Sequence, residues 1–281
     1  MRKLLLLAVL MVPLSAFAQQ FGARASFEAD YKIKKGLHLS VGEEIRLGSG
    51  KPGLDNVRST LGVSWKASKY FKVGAGYTLI NPYKYSFNAA GNTTYQGFWY
   101  PRHRLYADAA VTVSLGDFNL SLKEKLQFTH RTDDSLNVYQ NVRNALALKS
   151  RVGVKYKGFK AAGFEPFGYF ELRTALNDPW GETTGVIKQT DNSNKYYYDY
   201  THTGYTHVYV NRYRVNLGVD YTPVKHHTVT AYALLDFCSD YVIDTNGPSK
   251  WAEKGVRLYT ETTGWNDYFC PSLCVSYKFS F

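Results

Sequence analysis

From Val142 to Tyr156 the chain alternates between two rows. Val142, Leu146, Leu148, Val152, Val154 and Tyr156 share one with Asn144 and Ser150, and Arg143, Lys149, Arg151 and Lys155 punctuate the other. A period of two puts the rows on opposite faces of a strand. The beat recurs along nearly the whole chain after residue 20, in segments of about ten residues or slightly more, the length a tilted strand needs to cross a bilayer. It predicts an all-β, antiparallel transmembrane β-barrel.

Hairpins follow one another along the pattern. Phe21–Ile33 turns through Lys34-Lys35-Gly36 into Leu37–Leu47, and Val57–Ala67 through Ser68-Lys69-Tyr70 into Phe71–Ile80. Arg104–Leu115 meets Phe118–Arg131 across Gly116-Asp117, where glycine suits a positive φ. Val142–Tyr156 with Phe164–Leu176, Tyr209–Tyr221 with Thr228–Ser239, and a closing Phe269–Phe281 complete eleven strands. Long connections (Gly48–Asn56, Asn81–His103, Thr132–Asn141, Asn177–Val208, Asp240–Tyr268) alternate with short ones, as extracellular loops alternate with periplasmic turns in outer-membrane barrels. Bacterial single-chain barrels have an even strand number. The expectation is therefore ten to twelve wall strands, with twelve preferred on parity.

The first eighteen residues read as an export signal. Arg2 and Lys3 precede the apolar run Leu4–Leu14, and Ala16-Phe17-Ala18 is a small-x-small cleavage site. The expected mature domain is one barrel, residues 19–281, in a Gram-negative outer membrane. Beyond the signal no long apolar run exists, and the mean hydropathy is −0.33. Aromatics reach 16%, with 24 Tyr and 16 Phe, enough for girdles at both membrane interfaces. The net charge of +11 becomes +9 without Arg2 and Lys3, 32 basic residues against 23 acidic. Export makes nucleic acid an improbable partner for that charge, and anionic lipid head groups the nearer one.

With the apolar row facing lipid, the polar row lines the lumen. The candidates there are Glu44, Arg46, Arg58, Arg104, Asp108, Arg151, Glu171, Arg212 and Arg214, in the same row as Lys149, Arg173 and Asp236. Two readings compete: ions that satisfy one another and fill a narrow barrel, or a weakly anion-preferring path or pocket bounded by Arg104, Arg151, Arg212 and Arg214, whose forks suit carboxylate or phosphate. Glu43 and Glu124 fall in the apolar row, which predicts a face-swapping β-bulge or, more sharply, a polar notch on the outer wall. Cys238 and Cys270, near facing strand ends, are a candidate disulfide, whereas Cys270 and Cys274 lie too far apart along one strand. His226-His227 reads as a solvated turn pair, and Ser40, Ser64 and Ser121 as ordinary alternation. No catalytic residue, metal site or cofactor is indicated. A lipid-modifying enzyme, and a secreted barrel with its apolar row inside around a lipid-like ligand, remain open.

Leu37-His38-Leu39-Ser40 followed by Glu43-Glu44-Ile45-Arg46, Leu61-Gly62-Val63 with Phe71-Lys72-Val73-Gly74-Ala75-Gly76-Tyr77, and Arg102-His103-Arg104 carry a resemblance, with echoes in Leu122–Gln127 and Asn211–Arg214. On these residues the chain resembles the outer-membrane barrels labelled domain of unknown function two-four-nine-zero, found chiefly in Bacteroidetes-type bacteria. The resemblance implies a location and a fold, and assigns no activity. Cys274–Phe281, alternating and ending on Phe, resembles the terminal signal read by the barrel-assembly machinery. That implies a partner during biogenesis.

Overall fold

The computed structural model describes residues 21–48, 53–87, 93–133, 142–159, 162–187, 197–246, 256–258 and 260–281. The proposed signal, residues 1–18, lies outside them. In chain order the strands are β1 (Gly22–Lys34), β2 (Leu37–Gly48), β3 (Gly53–Lys66), β4 (Phe71–Phe87), β5 (Thr93–Trp99), β6 (Arg102–Leu115), β7 (Phe118–Arg131), β8 (Asn144–Tyr156), β9 (Phe164–Ile187), β10 (Tyr197–Val224), β11 (His227–Asn246), β12 (Val256–Leu258) and β13 (Thr260–Ser280). Each wall strand pairs with its neighbour in the chain, β11 pairs both β10 and β13, and β13 pairs β1. The wall is a closed cylinder of eleven strands. β5 and β12 are short additions that pair the upper parts of β4 and β10.

The parity difficulty resolves at the seam. β1 and β13 run parallel, from Gly22 opposite Ser272 to Asp30 opposite Ser280, so no twelfth strand is needed. Parallel ladders are slightly weaker than antiparallel ones, and the seam carries extra ties. Lys278 Nζ donates to Glu28 Oε1 at 2.7 Å and Asp30 Oδ2 at 2.9 Å, the amide of Phe281 donates to the Asp30 carbonyl, and Phe27 stacks on Tyr277.

The alternation decides which face is which. Outward side chains stay apolar and exposed, as at Val152 (61%) and Leu105 (57%), whereas inward ones are polar and covered, as at Glu171 and Asp236 (2% each). An interior lined for a lipid-like ligand would need the opposite arrangement. At the short-turn end, Gly36 and Gly116 take positive φ values of 80° and 57°, which a Cβ would oppose. Eleven strands spaced about 4.8 Å apart and tilted by about 40° give a backbone radius of roughly 11 Å. Long side chains from facing walls therefore meet. Gly62 and Gly76 leave room for one of them: a Cβ at either would fall 2.7 Å or less from the Tyr106 hydroxyl.

Glu43 and Glu124 need no bulge. The register runs unbroken through both, and both point outward. Glu43 sits opposite Ser59 and accepts its hydroxyl at 2.9 Å, and Glu124 sits opposite Ser150 and accepts its hydroxyl at 2.7 Å. Each outward carboxylate has a cross-strand serine donor, which is why the strand keeps its phase.

The regions expected to be loops after Asn177 and Asp240 instead continue the wall: β9–β10 and β11–β13 rise well above the other strands. Between them Trp180, His207, Tyr209, Tyr241 and Trp265 interlock, with ring centroids 4.4 to 5.8 Å apart. Tyr209 donates to Asp178 at 2.7 Å, and burial among the rings pushes the His207 imidazole below its ordinary range. The cluster clamps the two tall hairpins together.

Candidate functional site

Midway up the lumen, two carboxylates collect four cations. Glu171 accepts Arg151 Nε at 2.9 Å and Arg214 Nη1 at 2.9 Å, with Lys149 Nζ at 3.6 Å. Asp236 accepts Arg214 Nη2 at 2.6 Å, with Arg212 Nη1 at 3.7 Å. β8, β9, β10 and β11 supply these groups at neighbouring register positions, so the belt spans four strands. Burial makes each member dependent on the others, because a charge taken from water is tolerable only when its partners stay.

Pairing also sets cations directly against cations. Lys125 faces Lys149, Lys149 faces Arg173, and Arg173 faces Arg212 across β7, β8, β9 and β10. Arg24 faces Arg46, and Arg102 faces Arg131. Like charges directly opposite destabilise a sheet. The lumen repeats that arrangement along its wall, and among the described residues Lys149 and Arg212 have a carboxylate in ion-pair range whereas Lys125 and Arg173 do not.

Above and beside the belt are two contiguous chambers. The upper, about 660 Å³, carries six arginines in its lining, Arg24, Arg46, Arg58, Arg102, Arg104 and Arg212, against Asp55 and Asp236. The middle one, about 400 Å³, shares Arg24, Arg46, Arg58 and Arg104. Glu44 serves Arg46 at 2.6 Å and Arg58 at 3.9 Å. Arg104 Nε donates to the Thr129 hydroxyl at 2.9 Å. Among the described residues, Arg24 and Arg104 have no carboxylate in ion-pair range. The lower chamber, about 570 Å³, is better balanced, since Lys155 is held by Glu165 and Asp220.

All nine lumen candidates point inward. Arg151, Glu171, Arg212 and Arg214 come together in the belt, Glu44, Arg46 and Arg58 form a second group, Asp108 pairs with Lys123 at 3.2 Å lower down, and Arg104 stands between. Of the four arginines expected to bound a pocket, Arg151 and Arg214 are committed to Glu171 and Arg212 lies near Asp236, while Arg104 joins Arg24, Arg46 and Arg58, a set of four that shares the one carboxylate Glu44 among the described residues. Arg24 and Lys125 carry no distinguishing mark in the sequence. Their only signal was the inward parity, shared with every polar residue of the wall.

The disulfide expectation is corrected. Cys238 faces Tyr268, and Cys270 faces Asp236, two positions away on the ladder, so the sulfurs are diagonal and all three thiols are free. His226 occupies the turn with φ 76°, while His227 bonds the Tyr277 hydroxyl through Nδ1 at 2.6 Å, so this pair splits between turn and strand. Ser40 and Ser121 donate to the carbonyls of Gly62 and Gly153 across the sheet at 3.5 and 3.4 Å, which ties them to the wall.

A family model described as "Protein of unknown function (DUF2490)" matches residues 21–237. No curated protein matches the chain.

Proposed function

The chain belongs to the DUF2490 family, and from that premise we propose that it is a non-catalytic outer-membrane β-barrel of the Gram-negative envelope, acting as a narrow pore with a weak preference for small anions. The observation that carries the reading is the ladder of facing cations Lys125, Lys149, Arg173 and Arg212 on the inner wall, beside Arg24 and Arg104, which among the described residues have no carboxylate in ion-pair range.

Membrane placement is supported by the outer surface. From Phe118 to Phe128 the outward row of β7 is apolar except at Glu124, a height of roughly 25 Å for a tilted strand, matching the lipid-facing band of such barrels. At the short-turn end, ring pairs Tyr31–Phe281, Phe118–Tyr156 and Phe164–Tyr221 form an aromatic belt with Lys35, Lys69 and Lys225 beside it, suited to head groups. Outer-membrane lipids are then the standing partner, and the barrel-assembly machinery the transient one. Envelope fractionation with a heat-modifiability gel checks the location, and recovery from the soluble periplasm would reverse it.

Selectivity gives the functional test. In planar bilayers under a salt gradient, the wild-type chain is expected to show a reversal potential of anionic sign. Lys125→Glu combined with Arg173→Glu should move it to cationic sign, because both changes fall on the facing-cation ladder. A cation-preferring wild type, or none of the expected conductance, removes the pore reading.

The outward carboxylates provide a separate check on lipid contact. Glu43→Leu and Glu124→Leu are each expected to leave folding in vesicles unchanged or to stabilise it by up to about 2 kcal/mol, since a charge facing hydrocarbon is unfavourable. Urea titration reads this directly. A loss of stability together with a smaller particle in detergent would mean that another chain covers the site.

A further inference from the structure

We propose that the upper chamber is a binding site for a small multivalent oxyanion, a polycarboxylate or a phosphate-bearing solute, gripped by Arg24, Arg46, Arg58 and Arg104. The inference rests on the anion-preferring reading of the lumen and adds to it a saturable site with a ligand class.

Charge sets the valence. Six arginines line the chamber, and among the described residues Asp55, Asp236 and Glu44 stand against them, so an excess of about three positive charges remains that a monovalent ion would reduce only in part. Geometry points the same way. Arg24 and Arg46 are direct cross-strand neighbours, a separation of about 5 Å between their Cβ atoms, so their forks stand side by side on β1 and β2. Arg58 follows on β3, and Arg104 reaches in from β6. Planar guanidinium groups in that order suit several oxygens of one molecule.

Hydrogen bonding leaves room as well. Arg102 Nε and Arg212 Nε, on two other residues lining the chamber, are buried without a hydrogen-bond partner among the described residues. An unsatisfied buried donor is unfavourable and calls for an acceptor. The chamber volume of about 660 Å³ lies within the range of small-molecule sites. Beside it, the Glu171–Arg214–Asp236 belt already pairs its charges, although Arg214 Nε and Asp236 Oδ1 stay buried without a hydrogen bond among the described residues, so the uncompensated positive charge lies in the chamber rather than in the belt.

The test is isothermal titration of the full chain, refolded in detergent micelles, with citrate, inorganic phosphate, acetate and glucose. Citrate is expected to bind saturably and at least about tenfold more tightly than acetate, and glucose to give no heat. Phosphate distinguishes the source: binding comparable to citrate assigns the site to phosphorylated solutes as well, and no binding assigns it to polycarboxylates. Arg58→Gln with Arg104→Gln should weaken citrate binding by about tenfold or more. If that double variant fails to fold, Arg24→Lys keeps the charge, removes a fork and should still weaken citrate severalfold. The proposal is overturned if neither citrate nor phosphate saturates, if acetate binds equally well, or if the variants bind as wild type. Because this titration involves no conduction, its failure is separable from that of the pore reading: a site without conductance sinks the pore alone, and anionic conductance without saturation sinks the site alone.

Discussion

Glu171→Leu is expected to lower the unfolding free energy of the barrel by about 3–5 kcal/mol, the usual cost of removing one partner from a buried ionic group. Glu171 is 2% exposed and anchors Arg151, Arg214 and Lys149. Leucine fills a similar volume and offers nothing to those cations, and Asp236 can keep only Arg214. Urea unfolding in lipid vesicles measures the loss. Adding Lys149→Leu should return part of it, because the loss of Glu171 strands Lys149 among the facing cations Lys125 and Arg173 and the second change removes that stranded charge. A change below about 1 kcal/mol for Glu171→Leu would show that lumenal water solvates the cations and that the belt is not interdependent.

The second large effect lies at the seam. Lys278→Glu replaces the cation that joins Glu28 and Asp30 with a third carboxylate, at the place where the cylinder closes through parallel strands. These side chains are partly exposed, so solvent screens them, and the expected loss is about 2–3 kcal/mol rather than the full buried value. The visible result should be a reduced fraction of heat-modifiable, compact protein on a gel. Glu28 and Lys278 are direct register partners. The exchange Glu28→Lys with Lys278→Glu should therefore restore closure, and an unrepaired double variant would assign the effect to strand propensity or to the neighbouring Asp30.

How much of this was legible in the chain depends on what the signal encodes. The alternation marks β7 to the residue, Phe118–Arg131, because an apolar row faces outward along it and a two-residue turn precedes it. The pattern ends β9 at Leu176 and begins β10 at Tyr209, short of Ile187 and Tyr197. Their upper parts slip register repeatedly, as between His202 and Gly204 and between Gly204 and His207, and no uniform apolar face persists there to be recognised. Inward parity found the nine lumen candidates. It could not find the ladder of Lys125, Lys149, Arg173 and Arg212, because those residues become neighbours only when four strands adopt one register. The Cys238–Cys270 expectation failed on the same ground, by a displacement of two residues. Glu43 and Glu124 stand out as irregular within their own strands, yet the remedy is a serine on the adjacent strand, invisible to a one-strand pattern.

The odd strand number has a topological outcome. In an even-stranded cylinder the first and last strands run oppositely, and both free ends emerge on one side. Here β1 begins at the rim of tall hairpins and β13 finishes beside the tight turns. In an envelope, Phe21 would look toward the cell's surroundings while Phe281 looks inward, so the polypeptide enters its own wall from one compartment and leaves it in the other.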